Sequence, residues 1–420
     1  MNKNKNIGFL NCFEHGQWFM LFLSPALCFV TSLFKIRNGE VKASWVIPFV
    51  MGVFAYLFPP FADFARGEDK ILEYINLPLE TIIVLRGDIV FTSCEYFFLK
   101  FHLPIELFRF LYTFFVYYFY TKIFVDITRD FHFTSKKVFC VWVFLFMQIS
   151  FFAYIDNIRT IFIRLMLGYC MYQYFFKEKD KYRYYSLLLM FVHFAYFPII
   201  LLFFFTKYFT FCVSRYFRVC MIVLLLVGVL LLDSIDITNF VSGLNFGDAI
   251  NQRIMAYTEG EWSVDGESFN NQSLAFKIYK SLSSLSVYYL IYLYCKVKYS
   301  FKLERFSILL IVMCIFTISI PVLFGRYVGF LYMALGFFIL YGYIHGLVKQ
   351  NQIVIYLFLC LFTTILNVYA YWNCLVNGNV IYLFTPLPIA MLQTYDFYEW
   401  SNKHLDDDFN KIINGGYLSR

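Results

Sequence analysis

Two arginines, Arg159 and Arg164, stand inside the apolar stretch NIRTIFIRLMLGYCMYQYFF, and a single histidine, His193, stands in the next one, LLLMFVHFAYFPIILL. A charge at bilayer depth costs roughly 2.5 to 3.5 kcal/mol even on the gentlest scale, so such residues usually face a cavity or a partner and mark a site. The guanidinium fork matches phosphate oxygens, and several arginines around one cavity would hold a diphosphate and stabilise the charge it gains as a leaving group. Arg159 and Arg164 lie about 140° apart around a helix at 3.6 residues per turn, so at most one points straight at a given ligand. Arg159 is the better candidate. Arg164 has two plainer alternatives, snorkelling to the interface or a salt bridge to an acid. His193 is either a satisfied core histidine or a group that exchanges protons.

Other charged residues join this set. Asp63, Arg66 and Asp69 lie in the segment PPFADFARGEDKILEYI, and Arg86 follows it. Arg253 is the one basic residue in a stretch with seven acids, Asp233 to Glu267, where a solvated ion pair is the alternative. Arg326, in VLFGRYVGF, sits between two apolar runs and reads equally as an ordinary short turn. The run Asp406, Asp407 and Asp408 lies in a polar tail and reads as a solvated charge run rather than a cation site. No GxxxxGK[ST] loop, GxSxG elbow, HExxH or GxGxxG turn occurs, so ATP hydrolysis, serine hydrolysis, zinc proteolysis and dinucleotide chemistry have no support. The expectation is chemistry without a metal or a cofactor.

The elements that must position these residues follow from composition. Of 420 residues 60% are hydrophobic and only 15% are charged, more apolar surface than a soluble globular domain could hide. The reading is all-α: a polytopic membrane helix bundle with about ten to twelve membrane segments of about 20 residues each, forming one integral-membrane domain over residues 1–420. The net charge of +7 comes from basic tracts between apolar runs, a positive-inside pattern rather than a nucleic-acid surface. Eleven cysteines without a CxxC or a Cys/His cluster indicate neither a disulfide framework nor a metal site.

The tract Lys177 to Arg183 and the one around Lys296, Lys298, Lys302 and Arg305 mark the cytoplasmic side, and the long polar loop 233–273 is the natural outer-face loop. Parity then constrains the spans between. If 185–205 and 217–232 both crossed, the long loop would return to the cytoplasm. The expectation is therefore that 185–205 enters and leaves on one side as two half-helices broken near His193 and Pro198, because proline removes a backbone donor and such a break is tolerated only where it is buried in protein or lines a cavity. The alternative is a kinked single span. The same parity makes 88–101 an outer interfacial helix, with Val90, Cys94, Phe97 and Phe101 as one stripe and Asp88, Thr92 and Glu95 opposite. Later spans are expected at 274–295, 306–323, 328–347 and 353–371. The tail after Val380, with Pro386 and Pro388, carries no assignment.

These features together resemble the EpsG family of Wzy-like bacterial polysaccharide polymerases. The resemblance covers mainly residues 59–206. It rests on the Asp-rich segment PPFADFARGEDKILEYI, on Asn157 and Arg159 opening a span, on the basic turn that follows, and on the apolar segment carrying His193. Thr160, Phe162 and Phe194 stand where the family tends to have a glutamine or small residues, and Tyr74 is five rather than four residues after Asp69. The resemblance implies a metal-independent glycosyltransferase of the bacterial cytoplasmic (inner) membrane that joins polyprenyl-diphosphate-linked oligosaccharide repeat units on its outer face, in O-antigen, capsule or exopolysaccharide biosynthesis, with other glycan assembly proteins as possible partners. It implies Arg159, His193, Asp63 and Arg66 as catalytic candidates. Arg326, Arg253, Arg164 and Asp69 are candidates for substrate binding. Either a carboxylate or His193 would take the proton. A transporter or flippase of the same lipid-linked oligosaccharide is the rival reading, since it too needs buried arginines and a broken helix. A structural membrane partner in glycan assembly is a third.

Overall fold

The computed structural model describes residues 15–59, 75–86, 88–211, 213–231, 282, 284–318, 320–370 and 372–393; these are helical, with turns between, and include no strand. Backbone contacts divide the chain into two compact units. The first comprises 1–169, 191–194 and 367–406, and the second 170–190, 195–366 and 407–420. The expected outer loop 233–273 and the acidic run at 406–408 lie outside the described residues.

In the first unit, local chemistry sets the helix ends. Ser24 caps the helix Pro25–Arg37 by accepting from the Leu27 amide at 3.3 Å, Pro25 occupies the first turn where no donor is needed, and Lys35 and Arg37 complement the C-terminal carbonyls. Gly39 follows in the left-handed region at φ +95°, and the Ser135 hydroxyl donates to the Asn38 carbonyl at 3.2 Å, fixing this turn against the start of the helix Ser135–Met147. Helices Ile47–Leu57 and Ile105–Asp130 pack closely because Gly52 faces the Phe110 ring, where a Cβ would stand 2.9 Å from the ring carbons. The tail after Val380 is described as far as residue 393. It forms the turns Asn379–Phe384 and Leu387–Ala390, tied down by Ser24 donating to the Leu383 carbonyl at 3.0 Å and Tyr56 donating to the Met391 carbonyl at 2.8 Å.

The helix Ile89–Lys100 forms where expected but turns the other way. Asp88, Thr92 and Glu95 are buried, while Phe97 is 46% and Phe101 66% exposed. The polar stripe was expected to face water, and instead it packs inward. Buried Glu106 and Arg109 of the next helix extend the pattern, with Arg109 donating to the Phe58 carbonyl. Polar groups inside and large apolar groups outside is the arrangement expected when the surroundings are apolar, since each polar group then needs a protein partner.

The run 181–205, whose residues 191–194 belong to the first unit, is not one helix. The helix Lys181–Leu187 passes through a 3₁₀ turn to Phe191, breaks at Val192 and His193, and resumes through a second 3₁₀ turn as Phe197–Phe205, with Pro198 in its first turn. Its two arms fold back on each other. Arg183 Nη1 donates to the Phe204 carbonyl at 2.8 Å and the Tyr184 and Phe204 rings are 5.4 Å apart, whereas a straight helix would separate these positions by about 30 Å. Phe203 of the second arm packs on Phe175 and Phe306.

Among the described residues two helices, Leu323–Ile344 and Gln350–Tyr369, are long and apolar enough to cross a membrane, with mean hydropathies of 1.7 and 1.9. The second is only 22% buried and exposes Phe358, Leu361, Ile365 and Tyr369. The run 306–323, expected as a single span, is divided: one helix ends at Phe316 and another begins at Pro321. That second helix runs to Ile344 and carries Arg326 within it, so Arg326 occupies no turn. Proline fits the first turn of a helix, and its presence at 321 sets the start there.

Candidate functional site

Within the first unit, the structure brings two of the sequence candidates onto one carboxylate. Asp88, at the entrance to the helix Ile89–Lys100, accepts from Arg159 Nη1 on Oδ2 at 3.0 Å and meets His193 Nδ1 on Oδ1 at 2.9 Å. The side chains of Asp88, Arg159 and His193 are 7%, 19% and 10% exposed. The ion-paired Asp88 carboxylate accepts on both oxygens, so the proton of the second contact belongs to Nδ1. In the neutral ring that assignment leaves the lone pair on Nε2.

Each member is placed by its own element. Asp88 precedes its helix, and its carbonyl accepts the Thr92 amide at 2.9 Å, which fixes the backbone from which the carboxylate projects. Arg159 is the second residue of the helix Ile158–Phe175, which starts afresh after the short helix Phe151–Asp156 and a turn at Asn157. The Asn157 carbonyl accepts from Ile161 at 3.0 Å, so the restart sets the direction of the arginine. His193 sits in the break between the two 3₁₀ turns, where the chain leaves helical geometry.

Arg164, one and a half turns further on, is half-buried and forms no ion pair among the described residues, with Tyr120 in its electrostatic range. It does not share the Asp88 carboxylate, as the angular separation from Arg159 requires. Asp63, Arg66, Asp69 and Arg253 lie outside the described residues, and Arg86 lies within the helix Leu79–Arg86. Arg326 belongs to the second unit, half-buried. Among the described residues no group of three or more His, Cys, Asp or Glu side chains is placed to hold a metal ion.

Asp88 was not among the sequence candidates. The signal was present: Asp88, Thr92 and Glu95 recur at i, i+4 and i+7, one face of an otherwise apolar helix. In an apolar surrounding that face must turn toward protein.

The second unit holds its own buried ion pair. Arg218 Nε approaches Glu304 Oε1 to 2.8 Å, out of line for a hydrogen bond, while Nη1 and Nη2 donate to the Tyr294 and Val297 carbonyls at 3.3 and 2.8 Å. These carbonyls end the helix Leu285–Lys296, and Arg215 donates to a third, that of Cys295, at 3.2 Å. Arginines closing the C-terminal carbonyls of a helix are structural, because those carbonyls lack partners within the helix. No protein family matches the chain, and no curated protein or solved structure does so either.

Proposed function

We propose that the chain is a multi-pass membrane protein that polymerises lipid-diphosphate-linked oligosaccharide repeat units, as its resemblance to EpsG-type polymerases implies. The observation that carries this reading is the convergence of Arg159 and His193 on one buried carboxylate. A cation for a diphosphate and a base for a hydroxyl are the two groups that such a transfer needs, and here they lie on either side of Asp88. Buried polar stripes, outward apolar faces and the two long apolar helices support the membrane setting.

In this reading the Arg159 fork binds the diphosphate of the donor. An acceptor sugar hydroxyl attacks the anomeric carbon, the bond from that carbon to the diphosphate oxygen breaks, and the hydroxyl proton passes to His193 Nε2. The lipid diphosphate leaves with its new charge stabilised by Arg159. The sugar to lipid-diphosphate bond supplies the energy, so no nucleotide is consumed. Asp63, Arg66, Asp69, Arg253 and Arg326 stay the further candidates that the resemblance implies for catalysis and substrate binding.

The deciding experiment is the glycan profile of a strain lacking the protein, with the lipid-linked single repeat probed by an external lectin before and after permeabilisation. A polymerase predicts single repeats reachable from outside and no long chains. Repeats reachable only after permeabilisation would instead mark a flippase.

A further inference from the structure

We propose that Asp88 is the positioning residue of this site: it fixes the His193 imidazole as the Nδ1–H tautomer, with Nε2 as its proton acceptor, and holds the Arg159 guanidinium beside it. The proposal rests on the reading that His193 takes a proton and Arg159 binds a diphosphate. Its argument is geometric. Both carboxylate oxygens are engaged, at 3.0 and 2.9 Å, by groups from two separate parts of the chain.

Burial makes this arrangement consequential. With the Asp88 side chain 7% and the His193 side chain 10% exposed, little water competes for Nδ1, so the carboxylate decides which nitrogen carries the proton. The ring can otherwise exist as either neutral tautomer, and only one leaves Nε2 able to accept. The Asp88 backbone is itself tied into the first helical turn through its carbonyl and the Thr92 amide, so the carboxylate is a fixed reference rather than a mobile surface acid. Holding a base in one tautomer and one orientation is the role a buried carboxylate plays behind a catalytic histidine in general.

The test uses the full-length protein in lipid nanodiscs with nitrogen-15 histidine, which labels only six imidazoles, the two ring nitrogens of His193 being identified by their loss in His193→Gln. The wild type is expected to show a single Nδ1–H tautomer at His193. Asp88→Asn, which keeps the size of the side chain and can present its amide to the ring, should give the other tautomer or a mixture. Arg159→Gln leaves the carboxylate in place and should preserve Nδ1–H, so it serves where Asp88→Asn folds poorly. In turnover with the lipid-linked donor, Asp88→Asn should lower kcat by about 10²- to 10⁴-fold, with donor KM changed only a few-fold. Asp88→Glu should recover part of kcat.

An unchanged Nδ1–H tautomer in Asp88→Asn, or a tautomer that follows Arg159→Gln instead, overturns the proposal. The tautomer does not depend on activity, so the two readings fail separately. Tautomer control by Asp88 in a protein whose His193→Ala form still polymerises would sustain the positioning of the ring and remove His193 as the base. Loss of polymer in His193→Ala with a tautomer indifferent to Asp88 would do the reverse.

Discussion

Arg159 and Arg164 differ in what surrounds them, and that difference predicts different tolerance to a change of head group. Arg159 shares a carboxylate with His193, whereas Arg164 has no ion pair among the described residues. Lysine keeps the charge but not the fork. Arg159→Lys should therefore insert normally and lose most polymerising activity, while Arg164→Lys should retain it; chain-length analysis of surface glycan in complemented strains reads both. Near-wild-type polymer from Arg159→Lys would remove Arg159 from the site. Arg183 illustrates a structural arginine by contrast. It is 2% exposed, chelates Asp180 through Nε and Nη2 at 2.8 Å each, and reaches the Phe204 carbonyl. Hydrogen bonds to a charged group contribute about 1.5 to 3 kcal/mol, so Arg183→Ala should lower thermal stability by an amount of that order. If the melting temperature in detergent is unchanged, the closing bond of the fold-back is not a stabilising one.

At the scale of elements, the hairpin 181–205 and the reversed helix Ile89–Lys100 are the two features on which the topology turns. If the hairpin enters and leaves on one side, single cysteines at Ser214 and Asp180, in a background without native cysteines, should both be shielded from a membrane-impermeant thiol reagent in intact cells. One at Ser263 should react. Labelling at Ser214 from outside would show that 185–205 crosses as an ordinary span. Helix contacts in the second unit offer a sharper steric test. Gly342 lies against Tyr299, whose hydroxyl donates to the Phe338 carbonyl at 2.7 Å, and a Cβ there would stand 2.1 Å from that hydroxyl. Gly342→Ala must displace the Tyr299 ring from its stack on Phe338, an overpacking that costs about 1 to 3 kcal/mol. Gly325, with nothing near its Cβ position, is the matched control: Gly325→Ala should leave the melting temperature almost unchanged or raise it.

For the whole molecule, charge and apolar surface are distributed for different surroundings. Glu178 and Asp180, in the basic turn between helices, have carboxyls held below their ordinary values of 4.5 and 3.8 by hydrogen bonds from Lys302 and Arg183. A depressed carboxyl stabilises the folded state above its ordinary value and loses that contribution as pH falls through the folded value. Stability should therefore fall on acidification below about pH 4.5, and Lys302→Met should narrow the difference between neutral and acid melting temperatures. An identical acid dependence in that variant would exclude the Glu178 pair as a contributor. Both acids are exposed, so solvent screens the effect and it should be small. On the apolar side, the outward faces of Gln350–Tyr369 and of Arg215–Leu231 predict that the protein stays with the membrane through alkaline and high-salt washes and leaves it only with detergent.

The sequence by itself determined what depends on local chemistry. Hydropathy specified helices throughout. Proline at 198 and a histidine in an apolar run located a break, because a missing amide donor and a buried imidazole disturb a helix wherever it lies. Arg159 and His193 were legible as candidates because charge and proton chemistry inside an apolar run need a partner whatever the fold. Tertiary structure alone decided who that partner is. Periodicity divides the helix Ile89–Lys100 into two faces without saying which one meets protein, so Asp88 was read as facing water until packing turned it inward. Arg326 was placed between two runs because hydropathy marks apolar stretches and not the helix that continues through a charge. The C-terminal turns after Val380 showed no periodicity, and their order comes from Ser24 and Tyr56, hundreds of residues away in the chain, supplying donors that no local pattern could announce.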